Sequence, residues 1–156
     1  MKDNQLKVLV VDDDEDDIFL VKEMLKEGLP ETEITLDYAT TSDGAIALIK
    51  NGEHDICLLD IHLGKEDGLS LLKYLNIKNN FTPVIFLTGQ GDQEKAVAAM
   101  KAGATDYLIK STLSVVSLAH SIRSAIKLEG ERAKGNSRTF TQDSGRIIAG
   151  GFKRNT

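Results

Sequence analysis

The 156 residues contain a single cysteine, Cys57, so no internal disulfide can form and no thiolate-rich metal site can be assembled. This fits a reducing compartment. Cys57 stands inside the apolar run ICLL, where core packing is expected of it. No apolar run approaches the roughly 20 residues that span a bilayer, and the polar start MKDNQLK does not read as a signal peptide. A cytoplasmic protein that does not engage membrane is expected. The three histidines lack metal spacing, and His54 and His120 are expected as surface or packing residues.

Acidic residues outnumber basic ones in the body of the chain. Residues 131–156 hold six basic residues against Glu131 and Asp143, a net +4, which leaves –9 on residues 1–130 out of the total of –5. Direct nucleic acid binding by the body is therefore not expected, and no DNA-binding motif is present in the sequence. The basic stretch is poor in large apolar residues and rich in Gly, Ser, Thr and Asn, as a flexible tail would be. With 41% apolar residues overall, the chain suffices for one core. The expected organisation is one domain over residues 5–130 and a basic, flexible tail over 131–156.

β-rich runs alternate with helical patterns. KVLVV precedes a helix to about Lys26, EITLDY a helix from about Asp43, DICLLD the segment GLSLLKYL, and PVIFLT the segment DQEKAVAAMKA. TDYLIK then precedes a longer helix ending near Glu129, whose apolar stripe is Val116, Leu118, Ala119, Ile122, Ala125 and Ile126. Five strands each followed by a helix make an α/β protein with a mostly parallel sheet covered on both faces. Gly28, Gly52, Gly103 and Gly130 stand where helix C-caps are expected, and Ser42 and Asp92 where N-caps are.

The most unusual stretch is VLVVDDDEDD, a buried-strand pattern running into six consecutive acids. Ligands of an open parallel sheet collect beyond the carboxyl ends of its strands. Read together, those ends carry Asp12 and Asp13, Asp60, Thr88 with Gly89, and Lys110. Clustered carboxylates repel unless a cation neutralises them, and a hard oxygen site with room for water suits magnesium. Asp12 and Asp13 would hold the ion, leaving Asp14 to Asp17 to the solvated loop and helix start. A metal ion, a carboxylate, a hydroxyl, a backbone amide and a lysine together suit phosphoryl transfer to Asp60. Lys110 would neutralise phosphoryl oxygens, and Thr88 and the Gly89 amide would donate hydrogen bonds.

At these residues the chain resembles the response-regulator receiver domains of two-component signalling. VLVVDDD matches the family's acidic pair, LLDIHLGKEDGLSLL its phosphoacceptor loop, IFLTGQGD its threonine switch and AGATDYLIK its aromatic and lysine, over about residues 5–130. The resemblance implies a flavodoxin-like, doubly wound, five-stranded parallel sheet of order 2-1-3-4-5. It implies magnesium, with manganese as a substitute, on Asp12, Asp13, Asp60 and the backbone carbonyl of His62. It makes Asp60 the acceptor from a sensor histidine kinase or phosphotransfer protein, and Thr88 and Tyr107 the pair that reports phosphorylation to the face of the fourth helix, fifth strand and fifth helix. A downstream effector would dock there, the protein being a monomer or a phosphorylation-dependent dimer. His62 and Gln90, each two residues past Asp60 or Thr88, are expected at the pocket rim.

Two departures stand out. Leu63-Gly64 replaces the family's usual Met-Pro, which should loosen that loop, and Ser111 replaces the proline after the lysine, which puts a cis peptide there in doubt. Three other functions compete. A flavodoxin-like nucleotide binder would need a phosphate-cradling loop rich in Gly, Ser or Thr after the first strand, where this chain has acids that repel phosphate. A hydrolase working through an aspartyl phosphate would want a second acid two residues after the nucleophile, where this chain has His62. A receiver-like docking module that is never phosphorylated would not need the whole constellation. The expected function is therefore a signalling phosphoacceptor and not a turnover enzyme.

Overall fold

The computed structural model describes residues 4–78 and 82–139. In chain order the elements are β1 (Gln5–Val11), α1 (Glu15–Gly28), β2 (Glu33–Ala39), α2 (Ser42–Asn51), β3 (Ile56–Asp60), β4 (His62–Leu63), β5 (Glu66–Asp67), α3 (Gly68–Ile77), β6 (Val84–Thr88), α4 (Gln93–Lys101), β7 (Asp106–Ile109) and α5 (Val115–Thr139). Five strands form one parallel sheet in the order β2-β1-β3-β6-β7. Counting only the strands of this sheet, that is the expected 2-1-3-4-5. The pair β4 and β5 is a separate antiparallel ribbon, absent from the sequence reading because two-residue strands leave no periodicity.

The inner strands β3 (ICLLD) and β6 (VIFLT) are buried at every position, as continuous apolar runs in a parallel sheet should be. Side chains alternate across the strands. Leu9, Val11, Cys57, Leu59, Val84 and Phe86 share a core with Ala45 of α2, Leu71, Leu72 and Leu75 of α3, and Ala99 of α4. The alternate strand residues Val8, Val10, Leu58, Ile85 and Leu87 are buried as well. Also buried are Ile18, Val21 and Leu25 of α1 and Leu118, Ala119, Ile122 and Ala125 of α5. α1 and α5 are neighbours: a Cβ on Gly28 would lie 3.1 Å from Ala119 and Val115, and an Arg123 guanidinium N–H donates to the Gly28 carbonyl at 3.1 Å.

Several boundaries differ from the sequence reading. The chain divides into two units, Met1–Ala125 and Ile126–Thr156, a division that falls within α5. Gly130 does not cap that helix. It lacks the left-handed backbone found at Gly103 (φ 107°), and it is followed by Glu131, Arg132, Ala133 and Lys134, all good helix formers. The helix runs to Thr139, so the expected body-to-tail boundary at 130–131 lies inside it, and residues 140–156 lie outside the described residues. Val116 is 78% exposed and does not join the apolar stripe, because Val115 in the same first turn meets Gly28 instead. Ser121 joins the buried side chains of α5, its hydroxyl donating to Asp106 Oδ2 at 2.6 Å.

The caps shift in a similar way. Thr41, not Ser42, caps α2, its Oγ1 accepting from the Gly44 amide at 3.0 Å. Gly28 is the last residue of α1, and Leu29 follows as the cap because its amide still reaches the Leu25 carbonyl. Gly52 caps α2 as expected.

Candidate functional site

Strand register assembles the site. Val11 pairs with Leu59, Asp60 with Leu87, and Thr88 with Ile109, so Asp12, Asp60, Thr88 and Lys110 emerge at successive steps along one end of the sheet. Asp12, Asp60 and Thr88 are all buried, although each is polar. Burial of that kind needs partners.

Lys110 supplies them to the two carboxylates. Its Nζ lies 2.8 Å from Asp12 Oδ2, 2.8 Å from Asp17 Oδ2 and 3.1 Å from Asp60 Oδ2. The other oxygens are held by backbone amides: Asp12 Oδ1 accepts from Asp14 at 3.0 Å, and Asp60 Oδ1 accepts from His62 at 3.1 Å. Burial pushes the Asp12 carboxyl up to about 6, against the opposing hydrogen bond from Lys110. For Lys110, burial works to lower the pKa, but hydrogen bonds to Asp12 and Asp17 and the charge of Asp60 outweigh it and hold the ammonium above the ordinary lysine range.

Asp17 was not foreseen here. Asp14 caps α1 by accepting from the Asp16 amide at 2.9 Å, and Asp14, Glu15 and Asp16 are exposed, as expected of a solvated helix start. Asp17 departs from that expectation by turning to the lysine. The sequence signal was weak, since the direction of one acid among six depends on the angle at which α1 leaves β1.

A divalent ion fits. Asp12, Asp13 and Asp60 each place one carboxylate oxygen within 4.8 Å of the other two, an all-oxygen set of the kind that suits a hard cation.

The loop after Asp60 is tied down, which corrects the expectation of a looser one. His62–Leu63 pairs with Glu66–Asp67, and Gly64 turns the ribbon at φ 64°, a left-handed conformation that proline cannot adopt. The Gly64 amide donates to Asp13 Oδ2 at 3.0 Å, and the Ser42 amide donates to Glu66 Oε1 at 3.0 Å. The Leu63-Gly64 departure thus adds a backbone donor where the family's proline has none. Gly68 is fixed by crowding, because a Cβ there would collide with the Asp60 carbonyl oxygen. The peptide after Lys110 is trans, and Lys110–Thr112 forms a 3-10 turn.

At the rim, His62 Nε2 lies 3.1 and 3.2 Å from the two carboxylate oxygens of Asp92. Asp92 precedes α4 as expected of an N-cap, yet makes no side-chain cap bond. Its Oδ2 accepts instead from the Gly89 amide at 3.0 Å. The hydrogen bond from His62, with that from Gly89, holds the Asp92 carboxyl below the usual carboxylate range. Gln90 is exposed. The Thr88 hydroxyl donates to the Leu108 carbonyl at 3.4 Å, and Tyr107 is 42% exposed. His120 is exposed, whereas the His54 side chain is buried, with Nε2 2.8 Å from Asp37 Oδ2.

The family model described as "response regulator receiver domain" matches residues 8–123. The chain is 34% identical over 137 residues to the transcriptional regulatory protein PrrA of Mycobacterium tuberculosis, covering 86% of this chain and 56% of PrrA. It is 32% identical over 107 residues to ResD, a transcriptional regulatory protein of Bacillus subtilis, covering 69% of this chain and 42% of ResD. It thus spans about half the length of these relatives. Among solved structures, the receiver domain of a Francisella response regulator superposes with a TM-score of 0.68 at 32% identity, covering 78% of this chain and 97% of that one.

Proposed function

Because the chain belongs to the response regulator receiver family, the signalling modules of two-component systems, we propose that Asp60 accepts a phosphoryl group from a phosphohistidine on a sensor kinase or phosphotransfer protein. The observation that carries this reading is the convergence of three carboxylates and Lys110 at one end of the sheet. An Asp60 oxygen attacks the phosphorus, the phosphorus–nitrogen bond breaks, and the imidazole leaves with a proton. Lys110 stays charged and faces the oxygens that gain charge. Thr88 and the Gly89 amide donate to the phosphoryl group once it is in place. Asp12, Asp13, Asp60 and the His62 carbonyl would hold a magnesium or manganese ion, which would supply charge neutralisation to the phosphoryl oxygens.

The product is a signal and not a released compound. The new group adds roughly –1.5 to –2 charge beside Lys110. Thr88 turns from Leu108 toward it, and Tyr107 moves into the space vacated, changing the α4, β7 and α5 face on which a downstream effector docks. In this reading residues 5–130 are the phosphoacceptor module and residues 131–156 a basic extension. Incubation with magnesium and acetyl phosphate, followed by intact mass measurement, tests the transfer. A gain of one phosphoryl group that chelator abolishes is expected. No gain under any divalent ion would refute it.

A further inference from the structure

Asp92 lies outside the carboxylate cluster, yet it occupies the one backbone donor that an incoming phosphoryl group would need. Its Oδ2 takes the Gly89 amide at 3.0 Å, and both its oxygens are gripped by His62 Nε2 at 3.1 and 3.2 Å. Gly89 directly follows Thr88, and His62 stands two residues beyond Asp60, so the bridge joins the loop after β3 to the loop after β6. Neither bond is required to build the helix. A capping aspartate ordinarily accepts from the first turn, and Asp92 makes no such side-chain bond. Its backbone carbonyl still accepts from the Ala96 amide at 2.9 Å, which holds the start of α4 to the same residue.

We propose that the His62–Asp92 pair is a latch in which the Asp92 carboxylate stands in for the phosphoryl group on the Gly89 amide, so that phosphorylation of Asp60 requires Asp92 to let go. The inference rests on the reading of Asp60 as acceptor. Asp92 is a positioning residue, acting through Gly89. In the latched state the amide is spent on an internal anion, and an arriving phosphoryl group meets both a missing donor and a like charge. Opening the latch frees the amide, removes Asp92 from the rim and releases the side chain of the residue that precedes α4. Arrival of the phosphoryl group is thereby joined to the proposed output face by a route separate from Thr88 and Tyr107. The side chains suit such a movement: His62 is 52% exposed and can swing into solvent.

The test uses the full chain and the variants Asp92→Ala and His62→Ala. Solvent exchange of the Gly89 amide is followed by NMR without any phosphodonor, and the rate of labelling by acetyl phosphate is measured at fixed magnesium. Loss of one charge-assisted acceptor corresponds to about a tenfold change. Asp92→Ala should raise Gly89 exchange and the labelling rate by about that factor, and His62→Ala should raise both by less. Unchanged Gly89 exchange in Asp92→Ala would overturn the latch. So would faster labelling in Asp92→Ala with none in His62→Ala, which would reduce the effect to removal of a negative charge. If Asp92→Ala does not fold, His62→Ala decides alone, its side chain lying on the surface. If the wild type takes no label, the acceptor reading fails while the exchange measurement still judges the latch.

Discussion

Lys110 Nζ holds Asp17 Oδ2 at 2.8 Å, the same separation that it keeps from the buried Asp12. The two bonds differ in consequence. The Asp17 side chain is 36% exposed and water can replace the lysine, whereas that of Asp12 is 1% exposed and has no such substitute. Asp17→Ala should therefore cost less than about 1 kcal/mol in urea unfolding. Lys110→Ala should cost about 3 kcal/mol, because it strands Asp12. Equal losses would contradict this division of roles.

Gly68 shapes the loop after Asp60 by having no side chain. A Cβ would press on the Asp60 carbonyl, and Ile61 Cα and Phe86 Cε1 lie 3.2 Å away. Gly68→Ala should destabilise by about 2 kcal/mol or more and slow labelling of Asp60. A fully stable variant would show that the β3 end can shift without cost.

Thr88 is buried and bonded to Leu108, while the Tyr107 ring is partly exposed. Thr88→Ala should leave Asp60 able to take the phosphoryl group but uncouple it from any change over residues 106–128, the part of the face beyond the α4 start to which Asp92 leads. Amide exchange with and without beryllofluoride reads this out. A wild-type response in the variant, or none in either protein, would refute the coupling.

Much of this was legible in advance because parallel sheets write themselves plainly. ICLLD and VIFLT are buried at every position, so their apolar runs and the aspartate and threonine that end them fall into register without ambiguity. What escaped depends on directions that periodicity does not carry. Asp17 turns to Lys110 because of how α1 leaves the sheet, and Asp92 turns to Gly89 because its loop curls back. Gly130 read as a stop, but a glycine with strong helix formers after it and open space around it can stay helical. The Gly64 amide was invisible because a backbone donor leaves no mark in the sequence.

Cys57 offers a check on the core. It is 2% exposed, and burial pushes its thiol up to about 12, so neither access nor thiolate is available near neutral pH. A thiol reagent should leave the native protein unmodified and react once urea unfolds it. Rapid modification of the folded chain would mean that β3 is not held as described.

The acceptor itself is tested most directly by weighing wild type and Asp60→Asn side by side after acetyl phosphate and magnesium, with and without chelator. The wild type should gain one phosphoryl group, lost when chelator is present from the start, and Asp60→Asn should gain none. Labelling of Asp60→Asn equal to that of the wild type would place the phosphoryl group elsewhere and contradict the assignment of Asp60.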